Sequence, residues 1–180
     1  KHMNKPIPAI IEQIDAGAFT KHLGALGALL HACVHDGANI GFVLPFSRGD
    51  AETFWHESVL PDLLSGANLM LIARCDGALA GTAQLGLATP ANQTHRADVM
   101  KMMVHPDYRR RGIARALMLE LETLARRQGR CLLTLDTVTG EKAEPLYTAL
   151  GYQTAGIIPA YCRDPKEDRL DPTTLIYKLL

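Results

Sequence analysis

Residues 98–116 read DVMKMMVHPDYRRRGIARA, and the fold turns on them. Apolar residues 99–104 form a strand candidate that a turn at Pro106 ends. Arg109, Arg110 and Arg111 follow, and Gly112 opens a long amphipathic helix predicted over 113–128. Ile113, Leu117, Leu121, Leu124 and Ala125 share its inner face. Arg126 and Arg127 suit its negative end, and Gly129 stops it. Strand, arginine-rich turn, glycine and helix start make a geometry for gripping phosphate. The first helical N–H groups lack intrahelical partners, and the helix dipole favours an anion there. Without a Cβ, Gly112 lets a ligand approach the backbone.

Downstream, residues 131–138 (CLLTLDTV) are almost continuously apolar, which predicts a buried central strand. A short helix follows over 141–150 and stops at Gly151. Strands over 152–160 and 173–179 close the chain, with a polar loop over 162–172 between them. Upstream, strands over 68–74 and 78–87 flank Cys75-Asp76-Gly77, a hairpin signal. Earlier still, a short strand over 8–14 precedes a helix capped by Asp15. It runs to His35 with Phe19, Leu23, Leu26, Leu30 and Val34 on one face. After a loop over 37–46, a second helix starts beyond Asp50 and carries Phe54, Trp55, Val59, Leu60, Leu63 and Leu64. Pro61 kinks or divides it. The hairpin makes the first half antiparallel. The strand–helix–strand–helix–strand order of the second half implies locally parallel strands. The expected architecture is a single α/β domain over residues 4–180, a mixed sheet flanked by helices. Residues 1–3 read as an expression-tag remnant.

The 180 residues suffice for one sizeable core, and 47% apolar with 21% charged is a globular profile. Nineteen basic residues balance nineteen acidic ones, which argues against nucleic-acid or anionic-membrane partners. The arginine cluster is therefore local and suits a small polyanion. Cys33, Cys75, Cys131 and Cys162 form no C-x-x-C pair, so neither a zinc knuckle nor a redox motif is expected. Cys75 and Cys131 read as small apolar residues of strands. The thiols read as reduced and the protein as cytoplasmic. His31 and His35 share a helical face, yet no third ligand accompanies them, so no metal site is expected. Cys33 and His35 point apart on the helix and make no catalytic pair. A homodimer stays open, since exposed strands and apolar helix faces pair.

Neither G-x-x-x-x-G-K-[ST] nor G-x-G-x-x-G occurs, so nucleotide and dinucleotide loops are unsupported. What remains is R-x-x-G-x-A at Arg109, Gly112 and Ala114, preceded by Met102-x-Val104-x-Pro106. Tyr147-x-x-x-Gly151-Tyr152 follows downstream. Together these motifs resemble the GNAT superfamily of acetyl-CoA-dependent N-acetyltransferases. Within it, residues 92–104, LLTLDT over 132–137, Pro159-x-Tyr161-Cys162 and Arg169-Leu170-x-Pro172-Thr173 are similar to the acetyltransferases of tabtoxin resistance. So is the early Gly37-Ala38-x-x-Gly41-Phe42.

The resemblance implies a mainly antiparallel sheet of about seven strands with flanking helices and one splayed parallel pair. It implies acetyl-CoA as cosubstrate and a small amino-acid-like amine, or a toxin of that kind, as acceptor. Backbone groups of Met102, Met103 and Val104 would pair with the pantetheine arm. N–H groups of Arg110, Arg111, Gly112, Ile113 and Ala114 would hold the pyrophosphate, with Arg109 and Arg115 adding charged hydrogen bonds. Tyr147 would stand beside the thioester sulfur as general acid. Many members carry asparagine seven residues before that tyrosine. Here the position is Gly140, with Thr139 as a replacement for its contact.

Asp136, at the end of the buried strand, reads as an anchor for the substrate ammonium, and as a proton relay only if burial raises its pKa. Trp55 reads as core or as a substrate contact. Tyr161 and the loop over 37–46 read as pocket walls. A thiol near ~8.5 and a phenol near ~10 differ by about 2 kcal/mol, so a hydrogen bond from Tyr147, or a slightly acidified phenol, suffices for the leaving sulfur. A protein N-terminus or an aminoglycoside as acceptor, and a non-catalytic acyl-CoA sensor, are the alternatives.

Overall fold

A computed structural model describes residues 8–180, so the tag reading of residues 1–3 lies outside the described residues. Strand β1 (Ile10–Ile14) leads into helix α1 (Ala16–His35). Asp15 caps α1 as expected, its carboxylate accepting from the Ala18 N–H at 2.8 Å. Helix α2 (Arg48–Phe54) starts ahead of Asp50 rather than after it, because Ser47 and Asp50 form a reciprocal capping box. A π turn (Trp55–Val59) then leads into α3 (Leu60–Ser65). Pro61 sits in the first turn of α3, where a missing N–H is tolerated, and the π turn ahead of it takes up the expected interruption.

Strands β2 (Asn68–Cys75) and β3 (Ala78–Gly86) pair across Asp76 and Gly77. Both turn residues have positive φ, 53° and 80°, as a tight two-residue hairpin demands. Next come β4 (Arg96–Val104), α4 (Ile113–Arg127), β5 (Leu132–Val138), α5 (Ala143–Ala149), β6 (Gln153–Arg163) and β7 (Leu170–Leu179). The seven strands lie in the order β1-β2-β3-β4-β5-β7-β6, antiparallel except for the β4–β5 pair. The mixed, mainly antiparallel α/β architecture is thus as expected. β5 and β6 run the same way, as a crossover through α5 requires. β7 inserts between them and pairs antiparallel with both.

Two apolar layers sandwich the sheet. Leu117, Met118, Leu121 and Leu124 of α4 pack on Leu71, Ala83, Leu85 and Leu133. Phe19, Leu26, Leu30 and Trp55 pack on Met70, Ile72 and Met103 from the other side. Each such side chain, fully buried, is worth about 1.5–3 kcal/mol. Gly81 allows α4 to seat closely: a Cβ there would lie 2.9 Å from the Met103 carbonyl and 3.3 Å from Ile113 and Leu117.

Several expectations shift. β5 is central, yet only Leu133 in it is fully buried and Asp136 is exposed, because one flank of the strand stands open. Cys75 is buried, whereas Cys131 is exposed at the entrance to β5 and does not pack as an apolar residue. Leu64 is 70% exposed on the outer side of α3. The polar loop shrinks to residues 164–169, because Arg169 ties Asp164, Glu167 and Asp171 together and lets β6 and β7 run further. Among the described residues, no helix is long and apolar enough to cross a membrane.

Candidate active site

β4 and β5 share three parallel rungs: Arg96 with Leu132, Ala97 with Leu133 and Asp98 with Thr134. Beyond them the strands part. β4 stays on β3 as far as Val104, and β5 stays on β7 as far as Val138. The backbone edge of residues 99–104 therefore has no strand partner on the β5 side. A bulge explains the divergence. Lys101 and Met102 fall between the Gln84–Met100 and Thr82–Met103 rungs, and Lys101 takes a φ of +49°. A bulge bends its strand and tightens the local twist.

Gly112 enters α4 at φ 77°, and no side chain caps the helix. A Cβ at Gly112 would meet nothing within 4 Å. The first N–H groups of α4, on Ile113, Ala114 and Arg115, therefore start without a side-chain partner beside open space, a ready anion site. The arginines ahead of them divide in two. Arg109 pairs with Asp36 at the end of α1. Arg111 pairs with Asp76 at 3.2 Å and lies over the Tyr108 ring, 5.2 Å from its centroid. Arg110 and Arg115 are exposed and form no ion pair among the described residues. Arg109, expected at a phosphate, already holds a carboxylate, because α1 ends beside the turn.

Tyr147 stands on α5, 5% exposed, its ring edge-on to Tyr152 at 5.8 Å. Burial, and then the Asp136 carboxylate, push its phenol up to about 12. The slightly acidified phenol of the sequence reading is therefore reversed. Asp136 Oδ2 accepts from the Thr173 hydroxyl at 2.9 Å, which ties the carboxylate to β7. Because Asp136 is exposed, the burial on which a proton-relay role depended is not present. Thr139 does not stand free to replace the missing asparagine: its hydroxyl lies 2.8 Å from that of Thr174. At Gly140 a groove of about 510 Å³ opens along α5, walled by Glu141, Glu144 and Pro145.

A roof crosses the parted strands. The Leu44 N–H donates to the Pro165 carbonyl at 3.0 Å, and the Asn39 amide donates to Cys162 Sγ at 3.2 Å. The loop over 37–46 and the β6–β7 hairpin are thus joined. Tyr161 sits in a bulge of β6, where pairing jumps from Ile158–Thr173 to Cys162–Asp171, and is 54% exposed. The Lys101 ammonium donates to the Ile40 carbonyl at 2.7 Å and pins the loop to the β4 bulge.

Trp55 is not at the cleft surface. It is fully buried, and its indole N–H donates to the Leu26 carbonyl at 2.8 Å, so it serves the core. Cys33 is also buried; its thiol donates to the Val104 carbonyl at 3.5 Å, and burial pushes it up to about 11. His31 and His35 stack with ring centroids 4.0 Å apart. Sequence reasoning missed Thr173, Asp36 and Lys101. Their roles arise from partners 37, 73 and 61 residues away, and no local signal marks them.

Comparison with known proteins agrees with this geometry. An N-acetyltransferase of the hisH–hisA intergenic region of Azospirillum brasilense is 32% identical over 141 residues, 75% of this chain and 79% of that protein. The ribosomal-protein-alanine N-acetyltransferase of Brucella melitensis superposes with a TM-score of 0.75 at 22% identity, over 95% of this chain and 99% of that one. So does yncA of Salmonella typhimurium, solved with its cofactor acetyl-CoA, with a TM-score of 0.75 at 19% identity over 97% and 95%. The family model of the acetyltransferase (GNAT) family matches residues 31–152. With its splayed strands and uncapped glycine-led helix, the chain belongs to the acetyltransferase (GNAT) family.

Proposed function

We propose that the protein transfers an acetyl group from acetyl-CoA to the amine of a small amino-acid-like molecule. The observation that carries this reading is the parting of β4 from β5. The open edge of residues 99–104 and the uncapped start of α4 follow the point where β4 leaves β5, and Tyr147 lies near enough to Asp136 of β5 for its carboxylate to raise the phenol. These residues fit the coenzyme. Edge groups of Met102, Met103 and Val104 take an extended amide-bearing arm as a strand would. The N–H groups of Arg110, Arg111, Gly112, Ile113 and Ala114 take a diphosphate. Arg110 and Arg115 supply its charge partners, while Arg109 and Arg111 brace the turn through Asp36 and Asp76. The yncA structure, with acetyl-CoA on the same fold, supports the choice.

Two protons decide the chemistry. The attacking amine must lose one, and the leaving sulfur must gain one. A phenol held near 12 facing a thiol near ~8.5 makes full transfer roughly 5 kcal/mol uphill. Tyr147 therefore acts by donating a hydrogen bond to the developing sulfur charge, with proton transfer late. A peptide-like α-amine near ~7.7–8.0 gives up its proton at pH 7 for only about 1–1.4 kcal/mol, and a free amino acid, whose own carboxylate stabilises its ammonium, for more. Asp136 then holds the ammonium ahead of attack. The likeness of the loops to tabtoxin-resistance acetyltransferases extends the proposal to an amino-acid toxin as acceptor. Cytoplasmic residence belongs to the same proposal, since all four cysteines are free thiols.

Thiol release from acetyl-CoA, followed with free amino acids, peptides and an aminoglycoside, tests the reading. Turnover is expected with amino acids. Coenzyme binding without turnover on any amine would replace the enzyme with a sensor. Asp136→Asn should raise the amine KM at least tenfold; a collapse of kcat at unchanged KM would reject the anchoring role.

A further inference from the structure

Lys101 carries a positive charge at a place no other part of the site explains. Its backbone is left-handed, at φ +49°, a strained state for a non-glycine residue. The bulge re-aims its side chain toward the loop over 37–46. There the ammonium lies 5.3 Å from the ring centroids of both Phe42 and Phe54, and donates to the Ile40 carbonyl at 2.7 Å. Above it a Cβ on Gly41 would come within 3.2 Å of Nζ, so the bare glycine leaves room for the cation. No carboxylate among the described residues reaches it within 4.0 Å, whereas Arg109, Arg111 and Arg169 each hold an acid partner. Burial opposes the charge, and the Asp136 carboxylate supports it from a distance.

The surroundings decide what such a group does. Two aromatic faces and a carbonyl all favour ammonium over neutral amine. That argues against Lys101 as the base that deprotonates the acceptor. An ammonium has three donors. Here the protein supplies one acceptor, the Ile40 carbonyl, and two rings that take the charge but accept no strong hydrogen bond. A half-satisfied cation in a partly dehydrated pocket is completed by an anion from outside.

We infer that Lys101 receives the carboxylate of the acceptor, so that the acceptor is a zwitterion read at both ends, its ammonium by Asp136 and its carboxylate by Lys101. This deepens the proposed function and rests on it. It selects among acceptor classes: free amino acids and amino-acid toxins present an anion to Lys101. An aminoglycoside offers hydroxyl and ammonium groups but no anion, and a peptide N-terminus presents a neutral amide at that point. The Ile40 hydrogen bond and the edge-to-face Phe42–Phe54 pair beside it hold the ammonium in place, so little further ordering is needed on binding.

The test compares each accepted amino acid with its carboxamide, using the whole protein and acetyl-CoA. In the wild type the carboxamide should show a KM at least tenfold higher, with kcat within threefold. Lys101→Met keeps an apolar stem beside Phe42 and Phe54 and removes the charge. It should raise the KM of the acid at least tenfold and shrink the acid–amide difference to less than twofold. Lys101→Arg should restore part of the preference. Equal KM values for acid and amide in the wild type would overturn the assignment while leaving the acetyltransferase reading intact. So would a Lys101→Met variant that keeps the full preference. A fall in kcat on both substrates with the preference kept would mark Lys101 as structural only and equally reject it. The absence of turnover on every amine would defeat the acetyltransferase reading and this assignment together. Because the wild-type comparison needs no substitution, a variant that fails to fold does not protect the inference.

Discussion

Asp98 and Thr134 form the last rung between β4 and β5, and their side chains lock it. The Thr134 hydroxyl donates to the Asp98 carboxylate and accepts from the Arg96 guanidinium at 2.9 Å. The gap that the proposed chemistry needs opens one residue later. This knot at the vertex sets where two strands of one sheet cease to pair.

Thr134→Val removes the hydroxyl at nearly constant volume. The loss should be about 1 kcal/mol, a fall in Tm of roughly 2–4 °C for a chain of this size. The acetyl-CoA KM should rise several-fold, because a looser vertex misplaces the edge of residues 99–104. A thermal melt and a saturation curve decide it. A variant melting with the wild type would show that the backbone rungs alone hold the vertex.

The Tyr147 hydroxyl should matter for turnover and leave a signature at high pH. Tyr147→Phe is expected to lower kcat about 10²–10³-fold while moving the acetyl-CoA KM less than threefold. Its phenol is raised from the usual ~10 to about 12 in the folded protein. Below pH 10 folded and unfolded chains both keep the proton, and the contribution to stability is complete. From pH 10 to 12 the unfolded chain gives up a proton that the folded chain retains. Stability then falls by up to ~1.4 kcal/mol per pH unit. Tyr152 is raised in the same direction by burial, so the phenylalanine variant should flatten only part of the slope. Urea titrations at pH 9, 10.5 and 11.5 measure this. A wild-type kcat that declines between pH 8 and 10 would contradict a phenol held this high.

Gly112→Ala probes the start of α4. Since a Cβ there meets nothing in the protein, the cost to stability should be only the left-handed φ, about 1–2 kcal/mol. The coenzyme should feel more, because the added methyl stands where a diphosphate approaches the backbone. We expect the acetyl-CoA KM to rise at least tenfold with kcat nearly unchanged. Arg110→Ala should raise it several-fold, and that effect should shrink in high salt. Calorimetry with free coenzyme A reads both variants. Unaltered affinity in each would place the diphosphate elsewhere.

Lys178 and Glu122 tie the end of β7 to α4. The ammonium donates to both carboxylate oxygens, at 2.8 and 2.9 Å, and the Glu122 side chain is only 5% exposed. Lys178→Met leaves that carboxylate with Arg126 alone, at 4.0 Å. A loss of about 2–4 kcal/mol should follow. Replacing both residues with Met and Leu should recover most of it, since two apolar side chains leave no buried charge. Chemical denaturation of the single and double variants measures the difference. A single variant as stable as the wild type would mean water already reaches Glu122.

Local chemistry was legible in the chain alone. The Asp76-Gly77 hairpin, the Asp15 cap, the helix from Ile113 to the Gly129 stop, and the glycine-led turn behind three arginines each depend on residues a few positions apart. Propensity, capping and helix dipole act over that range, so spacing reports them. The likeness to a family then supplied the splayed pair and the role of Tyr147, while Asp136 was read from its place at the end of a buried strand. What lay beyond spacing was settled by partners far along the chain. Helix α1 delivers Asp36 to Arg109, β7 delivers Thr173 to Asp136, and packing against Phe19 and Leu26 withdraws Trp55 into the core. The bulge at Lys101 arises from a mismatch with β3 that no pattern within 98–104 betrays. Short-range steric and capping energies belong to the sequence. The insertion of β7 between β5 and β6, the parting of β4 from β5, and the contact of Lys101 with the loop over 37–46 exist only once distant segments come together.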